Sequence, residues 1–133
     1  MPHRNGPITC IASEDIAIYS TVVRSGTQGG NAPKVSKSTA TTDIIIGVTL
    51  DHALAGELVA VHPVIQGGVV PVRITEETVS AWPGVGLSLS TAAPGTMTTA
   101  EIVKPNAYIL RASVISGVGS IAYAIFVRTK RAL

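Results

Sequence analysis

The stretch that decides the fold is residues 43–75, DIIIGVTLDHALAGELVAVHPVIQGGVVPVRIT. Its first part alternates apolar residues with a period of two, which predicts a β-strand with one apolar face. The residues expected on that face are Ile44, Ile46, Val48 and Leu50. The segment 57–65 is apolar on both sides, which indicates a strand that a second sheet layer or another subunit covers.

Glycines punctuate the same stretch. Ala55-Gly56 suits a turn, and Gly67-Gly68 supplies the positive φ that a short hairpin needs. Pro71 lies inside the returning segment 69–74 and cannot donate to a ladder, so this strand is expected at a sheet edge or at a bulge. The stretch therefore predicts three strands joined by two tight turns.

The remainder of the chain consists of short strand candidates separated by Gly- and Pro-containing turns. A helical turn is plausible only at 76–83, and Trp82 within it is expected to pack over one end of the core. In the last candidate, Ile121, Tyr123, Ile125 and Val127 share one face. The other face carries Ala122, Ala124, Phe126 and Arg128. This pattern predicts an all-β protein.

The two halves of the chain repeat one succession of elements with little residue identity. Each runs strand, turn or loop, polar strand, apolar strand, turn, apolar strand. We therefore expect a small β-barrel or sandwich, β-tulip-like, built from two similar β units. Residues 1–12 contain two prolines and a glycine and are interpreted as an extended N-terminal arm before a single β domain over 13–133.

Composition favours an assembly. The 133 residues are 46% hydrophobic and only 14% charged, against about 25% charged in soluble domains, so much of the surface is expected to be buried against other subunits. Cys10, the only cysteine, is interpreted as a small buried residue. No secretory signal is recognised, and the apolar run 121–127 is far short of the ~20 residues of a membrane helix, so synthesis in a cytoplasm is expected.

Known chemical motifs are not supported. Residues 117–122, GVGSIA, match a dinucleotide fingerprint, but the alternating residues that follow predict a strand where that motif requires a helix. His3, His52 and His62 lack metal-ligand spacing, and no G-x-S-x-G occurs. Aromatic residues do not interleave with basic ones as single-stranded nucleic-acid binding requires. We expect no enzyme activity, no cofactor, no metal and no direct contact with nucleic acid.

Three segments resemble the capsid decoration (cement) proteins of tailed bacteriophages, over roughly residues 14–127. They are IIIGVTLDHALAGELVAVHPV, GGVVPVRIT and WPGVGLSLSTAAPGTMTT. The first family motif matches Ile46-Gly47-Val48 through Ala55-Gly56-Glu57 to Val59 and Val61. The second matches Ala81, Gly84 and Leu87 through Leu89, Gly95 and Thr96. Val85 stands where the family commonly has an acid, and the basic tail RTKRAL has no counterpart in the pattern.

The resemblance implies a structural virion protein on the outer surface of a phage head. It implies a homotrimer that binds the major capsid protein and stabilises the shell, without a membrane partner. The residues expected to contact the capsid are Arg4, Ile8, Arg128, Lys130 and Arg131. Those expected at a subunit interface are Val59, Val61, His62 and Trp82. The basic tail can also be a solvated tail, and His62 a core histidine satisfied by a hydrogen bond.

Two alternatives from other classes stay open. A carbohydrate- or host-surface-binding β module would bind glycans as an isolated protein, although the chain offers only Trp82 and three tyrosines as stacking surfaces. A trimeric β-barrel hydrolase would need carboxylates that converge on a metal, whereas the eight acidic residues are scattered along the sequence.

Overall fold

A computed structural model describes residues 6–25, 32–75, 82–100, 105–115 and 118–127. Ten β-strands and one 3-10 helix, Val64–Gln66, are the regular elements of these residues. The strands are β1 (Ile8–Ala12), β2 (Thr21–Arg24), β3 (Lys34–Lys37), β4 (Ile45–Thr49), β5 (Leu58–Pro63), β6 (Val69–Arg73), β7 (Gly86–Leu89), β8 (Met97–Thr98), β9 (Ala107–Ile115) and β10 (Gly119–Phe126).

The strands form two groups. Strands β1–β5 close into a barrel in the order β1-β3-β2-β4-β5, which we call the N-terminal barrel. Strands β6–β10 form a five-stranded sheet in the order β6-β10-β9-β7-β8, which we call the C-terminal sheet. The predicted all-β class and the small barrel are confirmed. The two units do not close together into one barrel, however, because the first closes by itself.

The link between the groups corrects the expected hairpin. Gly67 and Gly68 have φ of 72° and 83°, as predicted for a turn. They do not join paired strands, because β5 belongs to the barrel and β6 to the sheet. Pro71 lies in β6 at the edge of the C-terminal sheet, as its missing N–H predicted.

The face assignment in β4 was wrong by one residue. Ile45 and Val48 are buried between the two groups, whereas Ile44 is 67% exposed. The reason is an irregularity opposite β2, where Val22 pairs with Gly47 but Val23 pairs with Ile45. The extra residue, Ile46, breaks the period of two on which the prediction relied.

The N-terminal segment contributes to the barrel. Residues 8–12 were included in the arm, but the same five residues are also a short strand candidate in the sequence, and they form β1, which pairs antiparallel with β5 and parallel with β3. The barrel closes through this strand, so its backbone groups are used inside the chain. Residues 76–81, which hold most of the predicted helical turn, lie outside the described residues.

The two groups repeat one pairing scheme. The order β5-β4-β2-β3 of the barrel recurs as β10-β9-β7-β8 in the sheet, and β1 beside β5 recurs as β6 beside β10. All of these pairs are antiparallel. The predicted duplication of a β unit is therefore present in the strand pairing itself.

Register is repeated as well as order. In the barrel Gly47 pairs with Pro63 on one side and with Val22 on the other. In the sheet Ala107 pairs with Phe126 and with Leu87 in the same arrangement. The equivalent pairs Val48–His62 and Tyr108–Ile125 follow directly.

Both units also use the same closing contact, to different extents. In the barrel, the Ser13 N–H next to β1 donates to the Val35 carbonyl of β3 at 2.9 Å. In the sheet, the Thr75 N–H donates to the Met97 carbonyl of β8 at 2.9 Å, beside a parallel bridge between Ile74 and Met97. The second unit is thus tied at this one bridge, where the first has a full parallel pair.

Two apolar cores result. The interior of the barrel holds small side chains, as a narrow barrel requires; they are Cys10, Ala12, Ile16, Val22, Val35, Ala53, Val59 and Val61. The second core lies between the barrel and the inner face of the C-terminal sheet. It joins Ile45 and Val48 to Val70, Val72, Ile74, Leu87, Leu89, Met97, Ala107, Ile109, Ala122, Ala124 and Phe126.

Arg73 adds a polar tie between the groups. Its Nε donates to the Ile18 carbonyl at 2.8 Å, and its Nη1 donates to the Val118 carbonyl at 3.0 Å. Its backbone N–H donates to the Tyr19 carbonyl at 2.9 Å. Ile18 and Tyr19 precede β2 of the barrel, so one side chain connects the barrel to two segments of the sheet.

We predict that Gly47→Ala lowers the free energy of unfolding by about 1–3 kcal/mol, because the new methyl would overlap the His62 carbonyl oxygen and the Val61 side chain. Urea unfolding followed by circular dichroism measures the change. Gly6→Ala is the control, since nothing lies within 4 Å of a Cβ at that position. Equal stability of the two variants would contradict the packing described for β4.

A second prediction concerns Arg73→Met, which keeps an apolar stem but removes two hydrogen bonds from a cationic donor. The expected loss is about 1–3 kcal/mol in the free energy of unfolding, because the Ile18 and Val118 carbonyls lose a charged partner. Arg24→Met, at an exposed position of the barrel, is the matched control. Identical thermal midpoints for both variants would show that Arg73 does not tie the groups.

Candidate interaction surfaces

The four residues predicted at a subunit interface lie in different environments. Val59 and Val61 are 2% and 0% exposed and pack inside the N-terminal barrel. Their side chains are therefore used within the protomer. His62, which points away from the barrel interior, is half-buried, and Trp82 is exposed.

Trp82 does not pack over the core as expected. Its side chain is 67% exposed, although its carbonyl accepts a hydrogen bond from the Val85 N–H at 3.1 Å. The next turn residue, Gly84, has a φ of 88° and donates its N–H to the Ile109 carbonyl at 2.7 Å. The backbone of this turn is thus fixed to β9 while the indole remains available at the surface.

His62 makes the hydrogen bond expected of a structural histidine. Its Nε2 lies 3.0 Å from the carbonyl oxygen of Gly67, which can only accept. The proton is therefore on Nε2, and the ring holds the turn that leads from the barrel to the sheet.

The residues predicted to contact a capsid are mostly outside the described part of the chain. Arg4, Arg128, Lys130 and Arg131 fall there, so their role stays a prediction. Ile8 lies at the start of β1, pairs with Val61 and is 38% exposed.

The structure shows an apolar surface that was not singled out from the sequence. On the outer face of the C-terminal sheet, Ile125 of β10 pairs with Tyr108 of β9 on one side and with Val69 of β6 on the other. These side chains are 39%, 42% and 51% exposed, respectively. Three adjacent strands thus present one continuous row of apolar groups to solvent.

A cation–π pair lies next to this row. Arg111 lies over the ring of Tyr123 with its guanidinium carbon 4.2 Å from the ring centroid, and the two residues are cross-strand partners. Stacking of this kind orients the guanidinium and leaves its N–H groups available. We call Val69, Tyr108, Arg111, Tyr123 and Ile125 together the outer face.

The alternation of β10 separates its two faces but does not identify the exposed one. Ala122 and Ala124 are fully buried and Phe126 is nearly so, and these three residues, predicted to share a face, lie toward the core. Tyr123 and Ile125 lie on the opposite side as they were grouped, but Ile121, predicted to be with them, is fully buried. Both faces are apolar in sequence, so the pattern could not show which of them is covered.

Charge is distributed unevenly between the two groups. The described acidic residues all belong to the barrel half; they are Glu14, Asp15, Asp43, Asp51 and Glu57. In the described ranges from 69 to 127 the ionised side chains are Arg73 and Arg111, with no acid among them. The outer face is therefore apolar and cationic.

The described residues give little basis for chemistry at a site. Within them, no three His, Cys, Asp or Glu side chains lie close enough together to hold a metal ion. Among the same residues, no helix has the length and apolar character needed to cross a membrane.

Cys10 is the one nucleophilic thiol, and it is completely buried in the barrel, as predicted. Burial raises its pKa, so the reactive thiolate is depleted at neutral pH. We predict that a disulfide reagent at pH 8 labels the folded protein on the order of 100-fold more slowly than the urea-unfolded chain. Equal rates in both states would contradict a closed barrel.

Comparison with known proteins gives a match in structure only. No protein-family model and no curated protein sequence matches the chain. Among solved structures, the chain is similar to the N base of the head fiber protein gp8.5 of bacteriophage phi29. The TM-score is 0.66 at 17% sequence identity, over 96% of this chain and 98% of that chain. The described chain therefore has the fold of that head fiber base along nearly its whole length.

Proposed function

We propose that the chain is a structural protein of a phage virion that attaches to the outer surface of the head. The observation that carries this proposal is the likeness to the phi29 head fiber base, which spans almost all of both chains at a TM-score of 0.66. The resemblance of its sequence motifs to phage decoration proteins points in the same direction.

The more specific role we propose is that of a decoration, or cement, protein. It binds the major capsid protein as a homotrimer and stabilises the shell, without catalysis or a cofactor. The exposed apolar row Val69, Ile125 and Tyr108 and the low charged fraction of 14% support a protein whose surface is completed by other subunits. Such a patch is unfavourable in water and favourable in a protein contact.

Attachment would be strengthened by multiplicity. Each subunit of a trimer offers a modest contact to the shell, and several linked contacts form almost as intramolecular events. The resulting avidity can exceed that of one contact by ~10²–10⁴-fold without new chemistry. Stabilisation then follows because a bound trimer joins neighbouring capsid subunits that would otherwise separate independently.

The capsid-facing cations are predicted to be those of the C-terminal tail. Combined Arg128→Glu, Lys130→Glu and Arg131→Glu is expected to reduce the amount of protein that co-sediments with purified heads by at least ~10-fold, because the contact with an acidic shell surface becomes repulsive. Native mass spectrometry should show an unchanged oligomer.

The control variant reverses two exposed cations of the barrel, Arg24→Glu and Lys34→Glu, and should co-sediment like the unmodified protein. Unchanged occupancy of the tail variant would refute the assignment of the tail. Failure of the unmodified protein to bind heads would refute the proposed function itself.

A further inference from the structure

The internal repeat shows how the barrel uses the position that is equivalent to one on the outer face. Val48 of the barrel and Tyr108 of the sheet occupy equivalent positions, since Val48 pairs with His62 as Tyr108 pairs with Ile125. Val48 is fully buried where the barrel packs on the inner face of the sheet. Tyr108 is 42% exposed, and none of the described strands packs over it as the sheet packs over Val48.

Charge restricts what can cover this face. Arg111 stacks on Tyr123 within it, and the described part of the C-terminal sheet contains no acidic residue. Two outer faces placed against each other would bring like charges together, which disfavours a symmetric contact. The complementary surface must combine apolar side chains with carboxylates.

The barrel of the same chain carries such a surface at the turn that precedes β5. Leu54 and Leu58 are 49% and 66% exposed there. Asp15 accepts a hydrogen bond from the Ala55 N–H at 2.9 Å, and Glu57 accepts one from the Leu54 N–H at 2.8 Å. These bonds hold two exposed carboxylates in place beside the leucines.

We propose that the outer face of one copy binds this acidic turn of a second copy. We define the acidic turn as Asp15, Asp51, Leu54, Glu57 and Leu58, with Asp51 exposed just before it. The contact joins apolar side chains to apolar side chains and Arg111 to fixed carboxylates. It is heterologous, so each copy uses both surfaces and a small number of copies can close into a ring.

This inference rests on the proposed homo-oligomer and states which surfaces form it. Charge-swap variants test it. Arg111→Glu alone, and Glu57→Arg or Asp51→Arg alone, should each raise the dissociation constant of the oligomer by at least ~10-fold in sedimentation velocity. Arg111→Glu combined with one of the two acid-to-Arg changes should restore it to within about threefold of the unmodified protein, because the pair is re-formed with opposite signs.

Two further variants keep the test independent of folding. Ile125→Ser removes apolar area from an exposed position and should also weaken the oligomer, while Arg24→Glu, an exposed cation of the barrel, should not. Circular dichroism should show the same fold for each variant.

Three results would overturn the inference. One is an oligomer that survives Arg111→Glu. Another is dissociation that neither acid-to-Arg change rescues. The third is an Arg111→Glu variant that no longer binds heads, which would assign the outer face to the capsid. Failure of the unmodified protein to bind heads would instead refute the proposed function. The failure of this inference and the failure of the proposed function are therefore distinguishable.

Discussion

The structure depends on the burial of the outside of a closed barrel in the inside of an open sheet. Ile45 and Val48 project from the outside of the barrel and pack against Leu87, Leu89 and Phe126 of the sheet in one core. Full burial of each such side chain contributes about 1.5–3 kcal/mol, and several of them are buried together in this core. The barrel has its own core, but the inner face of the sheet is covered by the barrel, so the two groups share this second core.

The repeat explains how one pairing scheme yields two different shapes. At equivalent inner positions, Gly47 of the barrel corresponds to Ala107 of the sheet, and Val22 to Leu87. Pro63 corresponds in the same way to Phe126. Small side chains let five strands close tightly on themselves. The larger ones fill a wider space whose open side the barrel covers.

Several polar side chains of the described barrel are enclosed or engaged in hydrogen bonds within the protomer. Asp15 and Glu57 of the barrel accept hydrogen bonds from backbone N–H groups of a turn. The thiol of Cys10 is enclosed, and the His62 ring is held by the Gly67 carbonyl. On the outer side of the C-terminal sheet, the exposed groups are mainly apolar and aromatic side chains such as Val69, Tyr108 and Ile125.

The sequence by itself determined the features that depend on neighbouring residues. The period of two in residues 121–126, the positive φ of Gly67 and Gly68 and the edge position of Pro71 all follow from local sterics and hydrogen bonding. The succession of elements also revealed the duplicated unit. Tertiary structure alone decided that Ile45 is buried and Ile44 exposed, that β5 and β6 separate into different groups, and that Trp82 faces solvent. These outcomes depend on register and on which unit covers which face, and such contacts join residues too distant in the chain for a local pattern to specify.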